Sequence, residues 1–241
     1  MSLTVSFVER KCAAVILAAG SGSRMNMDKT KQRLVINNKS VLRHTLEVFA
    51  SAPSISSVTV VSRADELDFA AAQAEGLDIP INIVIGGKSR AESARLGFEA
   101  ISEDSETVMI HDAARCLITR EEIEAVASAA YEFGAASAST RVTDTIKRCD
   151  GDGNINETVD RSGLRSVQTP QAFSVDIYKE ALNHSSEIKT DITDDNMLVE
   201  NIGVKVKCVD TFSTNIKITT AGDILLAEYI LAERKRQKGE L

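Results

Sequence analysis

Short runs rich in apolar and β-branched residues, Ala13–Leu17, Val58–Ser62, Asn82–Ile85, Val108–His111 and Ala135–Ser139, recur along the chain and predict strands. Between them and after them, longer segments of helical period predict helices over Val41–Ala50, Asp65–Gly76, Ser89–Ile101, Glu121–Phe133 and Ala221–Arg236. Ser89 stands three residues before Glu92, and Thr119 three before Glu122, the spacing at which each side chain satisfies the other residue's free amide at a helix start. Alternation of this kind is the sequence form of right-handed βαβ units, so an α/β fold with a mainly parallel sheet is expected.

The pattern changes after Ser139. Residues Val142–Val167 hold two polar, alternating segments around Asp150-Gly151-Asp152-Gly153, which predicts a β-hairpin with positive φ in its turn. Such a hairpin has too little apolar content for a core of its own and must pack on something else, a second copy of the chain being the simplest partner. The expected organisation is a single domain over residues 1–241, with 141–166 as a β-arm for dimerisation.

At 241 residues and 43% hydrophobic content the chain can bury a sizeable core. A net charge of −7 argues against a protein whose main affinity comes from neutralising nucleic-acid phosphates. Cys12, Cys116, Cys149 and Cys208 are scattered, with no CxxC pair and no histidine at ligand spacing, so neither a zinc site nor a disulfide framework is suggested. The apolar run Ala13–Ala19 is far too short to span a membrane and lacks the architecture of a cleavable signal. Reduced thiols in the cytoplasm, and neither nucleic acid nor membrane as partner, are the expectations.

The most informative segment is Val15-Ile16-Leu17-Ala18-Ala19-Gly20-Ser21-Gly22-Ser23-Arg24-Met25, followed by Lys31-Gln32. Small residues after a strand let backbone amides approach a ligand closely, and a run of amides forms an anion-binding concavity to which Arg24 and Lys31 add cationic donors. Gly20-x-Gly22 begins like a dinucleotide fingerprint, but Met25 stands where its third glycine belongs. Gly87-Lys88-Ser89 resembles the end of a P-loop, yet the glycine required five residues earlier is Asn82. Both of those nucleotide motifs are therefore excluded.

Leu17-Ala18-Ala19-Gly20-x-Gly22-x-Arg24-Met25 with Lys31-Gln32 resembles the signature of the sugar-phosphate nucleotidyltransferases. Gly86-Gly87, Arg90-Ala91-Glu92-Ser93, His111-Asp112-Ala113-Ala114-Arg115, Thr143-Asp144-Thr145, Val159-Asp160-Arg161, Gln168-Thr169-Pro170-Gln171, Thr193-Asp194-Asp195 and Asn215-Ile216-Lys217 extend the likeness. In this order they are similar to the 2-C-methyl-D-erythritol 4-phosphate cytidylyltransferases, with ribitol-5-phosphate cytidylyltransferases as close relatives. The resemblance implies a Rossmann-like α/β fold of the nucleotide-diphospho-sugar transferase type with a projecting β-hairpin arm. It also implies a homodimer and a CTP-dependent reaction with a divalent cation, Mg²⁺ or another, held mainly by the CTP phosphates near Asp112. D-ribitol 5-phosphate as acceptor and a non-catalytic nucleotide-binding regulator are the alternatives; retention of Arg24 and Lys31 speaks against the second.

By the same resemblance Arg24, Lys31 and Lys217 are the catalytic cations. Ala18, Ala19, Gly20, Gly22, Gly86, Gly87, Ser93 and Asp112 bind the nucleotide, small side chains leaving room for the base and ribose. Asp112, Arg115, Thr145, Arg161, Thr169 and Thr193 serve the acceptor, Arg161 from the second limb of the arm across a dimer. Taken alone, several of these residues have plainer readings: Arg161 an arm-to-body salt bridge, Lys217 the solvent face of a strand, and the threonines ordinary strand residues. His111, ending a buried strand, reads as structural rather than as an acid–base group. Thr30 and Cys116 stand where the family often carries proline, which removes backbone rigidity without removing charge.

Overall fold

The computed structural model describes residues 11–20, 30–237 and 239. In chain order the described elements are β1 (Cys12–Leu17), β2 (Val35–Ile36), β3 (Lys39–Ser40), α1 (Val41–Ser51), β4 (Ile55–Ser62), α2 (Leu67–Ala74), β5 (Ile81–Ile85), α3 (Arg90–Glu99), β6 (Thr107–Asp112) and α4 (Arg120–Phe133). There follow β7 (Ala135–Arg141), β8 (Ile146–Cys149), β9 (Ile155–Val159), β10 (Arg165–Ser174), α5 (Val175–Asn183), α6 (Asn196–Asn201), β11 (Lys207–Asp210) and α7 (Ala221–Gln237). A seven-stranded sheet runs in the order β11-β7-β10-β6-β1-β4-β5. Its members are parallel except β10, which pairs antiparallel with both β6 and β7.

β1 lies inside the sheet, between β6 and β4, and is buried along almost its whole length. Covered on both faces, it reads as a continuous apolar run rather than an alternation. Cys12, Ala14 and Ile16 face the cluster made with Leu42, Leu46 and Phe49 of α1 and Ile123, Val126 and Ala127 of α4. Val15 faces the opposite cluster, with Ala94 of α3, Tyr178 of α5 and Leu198 of α6. The two-residue period of a strand thus feeds two helical layers from one run.

Of the two expected capping boxes, one closes. Thr119 and Glu122 form both bonds of a capping box at α4, and Gly134 ends that helix at φ 80°. At α3 the Ser89 hydroxyl accepts from the Glu92 amide, but the Glu92 carboxylate accepts from Lys88, one residue too early to close the box. The expected helix Asp65–Gly76 is a 3-10 turn, Ala64–Glu66, leading into α2. β10 was not expected as a strand, because Pro170 cannot donate to a ladder; it is tolerated because the pairing with β7 breaks between Val167 and Gln171. The hairpin β2–β3 is a further element beyond those expected, its turn formed by Asn37 and Asn38 at φ 47° and 65°, residues suited to a tight primed turn.

β8 and β9 pair as a separate two-stranded sheet, mostly exposed, with Gly153 at φ 86° in its turn and Asp150 accepting from the amides of Asp152 and Asn154. Arg161 lies beyond the end of β9, in the turn leading to β10, rather than on the second limb.

α3 carries the candidate nucleotide-binding residue Ser93, and Gly97 sets its distance from the sheet. A methyl group there would meet Val15 Cγ1 at 2.3 Å and Val61 Cγ2 at 2.6 Å. Alanine would relieve a helix-propensity penalty of about 1 kcal/mol but overpack a filled core, which costs about 1–3 kcal/mol. Gly97→Ala is therefore expected to lower stability by about 1 kcal/mol, measured as a lower urea midpoint at unchanged slope; a raised midpoint would show that the helix stands off the sheet.

Candidate active site at the carboxyl edge of the sheet

Because β1, β4, β5 and β6 are parallel, their carboxyl ends share one edge, where ligands bind in open α/β sheets. The chain leaves β1 through Ala18, Ala19 and Gly20, leaves β5 through Gly86 and Gly87, and ends β6 at Asp112. A side chain at Gly86 would come within 2.5 Å of the Ala19 Cβ and 3.0 Å of Ser93 Oγ, so these small residues do meet. The amides of Ala18 and Gly86 donate to Val61 and Ser62 carbonyls at 2.8 Å, and that of Gly87 to Ser93 Oγ at 3.1 Å. At these positions the sequence supplies close approach, while the amide donors are already engaged. Gly22 and Arg24 lie outside the described residues.

Asp112 is the centre of charge. Its residue is only 8% exposed, and its carboxylate lies 2.6 Å from Lys217 Nζ and 3.5 Å from Arg90 Nε. Burial disfavours its ionised form, but the charges of Arg90 and Lys217 and the bond from Lys217 outweigh this and bring the pKa down to about 2. Arg90 also holds Asp195, which is fully buried and accepts from Tyr178 Oη at 2.6 Å. Arg90 and Asp195 lay within quoted motifs, yet their pairing joins residues 105 positions apart and has no local sequence signal.

Beneath Asp112, the Thr169 hydroxyl accepts from the Asp112 amide and bonds His111 Nδ1, both at 3.1 Å. His111 is fully buried, and burial drives its pKa down to about 3, so the ring is neutral. With Nδ1 accepting from Thr169, Nε2 donates to the Arg115 carbonyl at 3.3 Å. Histidine and threonine thus hold the backbone that presents Asp112. Gln171 of β10 binds Asp194 and the Asp195 amide, so two of the quoted motifs meet in space.

The segments bearing the remaining described cations share a small apolar core: Leu34, Ile36 and Val41 after Lys31, Cys116 and Leu117 after Arg115, Ile218 after Lys217, and Ala227 of α7. Ile218 donates to the Ala114 carbonyl at 2.8 Å, and Asn215 holds Gln168 Oε1 and the Thr169 carbonyl. Arg115 donates to the Asn215 carbonyl at 2.9 Å, placing its guanidinium beside the Lys217 segment. Cys116 is buried in this core, which pushes its thiol up to about 12 and leaves it a packing residue. Thr30 takes φ −67° and ψ 154°, torsions that proline shares.

Thr145, Arg161 and Thr193 are exposed in the single chain. Their bonds are local: Arg161 donates to the Thr143 carbonyl at the base of the arm, and Thr193 lies against Met197 Sδ. Thr169 is the member of the expected acceptor set that is buried with Asp112.

The sequence profile of IspD, 2-C-methyl-D-erythritol 4-phosphate cytidylyltransferase, matches residues 12–233. The chain belongs to that family. The cytidylyltransferase of this name from Synechococcus sp. strain WH7803 is 39% identical over 91% of this chain and 99% of its own length. That of Haemophilus influenzae is 39% identical over 94% of this chain and 99% of its own. Among solved structures, the 4-diphosphocytidyl-2C-methyl-D-erythritol synthase from Anaerococcus prevotii superposes with a TM-score of 0.83 at 30% identity, covering 93% of this chain and 99% of its own. The enzyme from Thermus thermophilus gives 0.73 at 29%, covering 90% and 97%. The chain is thus a nucleotidyltransferase, and no helix among its described residues is long and apolar enough to cross a membrane.

The lowered pKa of Asp112 has a consequence for stability. A carboxyl whose folded pKa lies below its unfolded value stabilises the protein above the unfolded value, near 4, and loses that contribution as pH falls toward 2. The shift corresponds to about 2 kcal/mol. Asp112→Asn should therefore be less stable than wild type at pH 7, with the gap narrowing between pH 4 and pH 2 in urea unfolding; a constant gap would mean that the carboxylate is not preferentially ionised in the fold.

Proposed function

We propose that the chain transfers the cytidylyl group of CTP to 2-C-methyl-D-erythritol 4-phosphate, giving 4-diphosphocytidyl-2-C-methyl-D-erythritol and pyrophosphate. An acceptor phosphate oxygen forms a bond to the α-phosphorus as the bond to the bridging β-phosphate oxygen breaks, and pyrophosphate leaves with that electron pair. The observation that carries this reading is the set of cationic side chains held around Asp112 at the sheet edge, within a match that spans nearly the whole chain. The methylerythritol phosphate named in the matched relatives favours that acceptor over ribitol phosphate.

Such a transfer needs little covalent chemistry from the protein and depends on positioning and charge stabilisation. Lys31 and Arg24 would take the charge growing on the α-phosphate and the leaving pyrophosphate, Arg24 as a fork and Lys31 as a movable point charge. Lys217, with a side chain 40% exposed, would turn from Asp112 toward the phosphates while Arg90 continues to balance the aspartate. Among the described residues no cluster of three or more His, Cys, Asp or Glu is placed to hold a metal by itself. The donor set therefore suits a divalent cation brought on the triphosphate oxygens, with Asp112 as its protein neighbour. When bound, that ion neutralises triphosphate charge.

Thr145 and Arg161, at the base of an arm with little apolar content, would reach the acceptor in a second copy, which makes the working unit a homodimer. The cytoplasm is the assigned compartment, in keeping with the scattered cysteines.

Pyrophosphate release with CTP and each acceptor tests the reaction: methylerythritol phosphate should support turnover and D-ribitol 5-phosphate far less, and release with neither would overturn the assignment. Arg24→Ala and Lys31→Ala are each expected to lower kcat by about 10²–10³-fold with little change in melting temperature, and Lys217→Ala to lower kcat to a similar extent and the melting temperature as well, because it unpairs Asp112. Light scattering at assay concentration should give twice the chain mass; a monomer with full turnover would remove Arg161 from the acceptor site.

A further inference from the structure

The segment carrying Lys31 is gripped from both sides by one carboxylate that the transfer step does not use. Glu66, 4% exposed, closes the 3-10 turn that follows β4 at the ligand edge of the sheet. Its Oε1 accepts from Thr30 Oγ1 at 2.5 Å and Arg33 Nε at 2.9 Å, and its Oε2 accepts from Gln32 Nε2 at 2.5 Å. The Arg33 guanidinium also lies 4.3 Å over the Phe69 ring of α2. Residues 30, 32 and 33 are thus tied to the turn that follows β4, and the backbone of Lys31 is held with them.

We propose that Glu66 is a positioning residue for Lys31, acting by ordering residues 30–33 before substrate arrives; this rests on the reading of Lys31 as a catalytic cation. A lysine side chain is a point charge on a flexible four-carbon stem, so the placement of its Cα decides how much of its reach falls on the phosphate. Ordering that backbone in the free enzyme removes an entropic cost from the transition state, and a displacement of about 1 Å there is enough to lose about 10²-fold in rate. The two carboxylate oxygens are both required, because three donors on different residues converge on them. Thr30 supplies one of those donors while its φ of −67° and ψ of 154° are torsions that a proline ring would lock without any carboxylate.

That equivalence provides the test. Pyrophosphate release by the full chain, with kcat and KM for CTP separated and melting temperature recorded, is compared for wild type, Lys31→Ala, Glu66→Ala and Glu66→Ala/Thr30→Pro. Glu66→Ala is expected to lower kcat by about 10–100-fold with KM for CTP changed by less than about threefold. Adding Thr30→Pro should restore kcat by about tenfold, a coupling that simple loss of stability does not produce. Thr30→Val, which leaves Glu66 bound to Gln32 and Arg33, should lower kcat by about threefold or more and serves if Glu66→Ala does not fold. Wild-type kcat in folded Glu66→Ala or in Thr30→Val, beside an inactive Lys31→Ala, overturns the positioning role and leaves the catalytic lysine standing. A loss in Glu66→Ala that Thr30→Pro fails to restore also overturns it, as a merely structural effect. Full turnover in Lys31→Ala removes the catalytic assignment and the proposal with it.

Discussion

A buried carboxylate stays ionised only where cations compensate for the water it has lost, and the candidate site is arranged around that requirement at Asp112. Lys217 reaches it from the segment before α7, and Arg90 from the first turn of α3. Arg90 in turn satisfies Asp195, to which Tyr178 donates, so the chain of charges runs from the sheet edge into the layer formed by α3, α5 and α6. Removing Arg90 would leave Asp195 buried without its cation, and removing Lys217 would leave Asp112 with Arg90 alone. Elements from distant parts of the chain are therefore held in one arrangement by electrostatics as well as by packing.

Cations gathered at one edge of the sheet repel one another, and something must oppose that repulsion. Part of the opposition comes from Asp112 itself. The rest comes from apolar contact, since Leu34, Cys116 and Ile218 anchor the segments of Lys31, Arg115 and Lys217 in one small core beneath α7. Glu66 adds a third tether to the lysine-bearing turn. The charged groups can thus lie at the open edge while the backbone behind them is dry and fixed.

Much of this was legible in the chain. The buried strands β1, β4, β5, β6 and β7 are apolar enough to identify from composition, and their expected spans fall inside the observed ones because neighbouring strands extend the pairing into less distinctive residues. The arm was legible from its alternation and its Asp-Gly turn. β10 was not: it joins β6 to β7 with both neighbours antiparallel, but a proline and several polar residues mask a strand whose burial comes only from the assembled sheet. Glu66 lay within an expected helix as an ordinary acidic residue, and nothing local distinguished it from Asp65 beside it, which is solvent-facing and pairs with Arg63.

The sequence by itself determined the alternating α/β plan, the glycine loop, the resemblance to the cytidylyltransferases and the set of residues worth weighing, because periodicity, small residues and motif order are properties of neighbouring positions. Only the tertiary structure decided which residues meet: that Asp112 is balanced by Lys217 and Arg90, that Thr169 and His111 brace its backbone from below, and that the Ala18, Gly86 and Gly87 amides are engaged within the protein. Those outcomes depend on contacts between residues tens of positions apart and on burial. Burial turns an ordinary carboxylate into a charge that must be compensated, and it exists only once the sheet and its helices have closed around it.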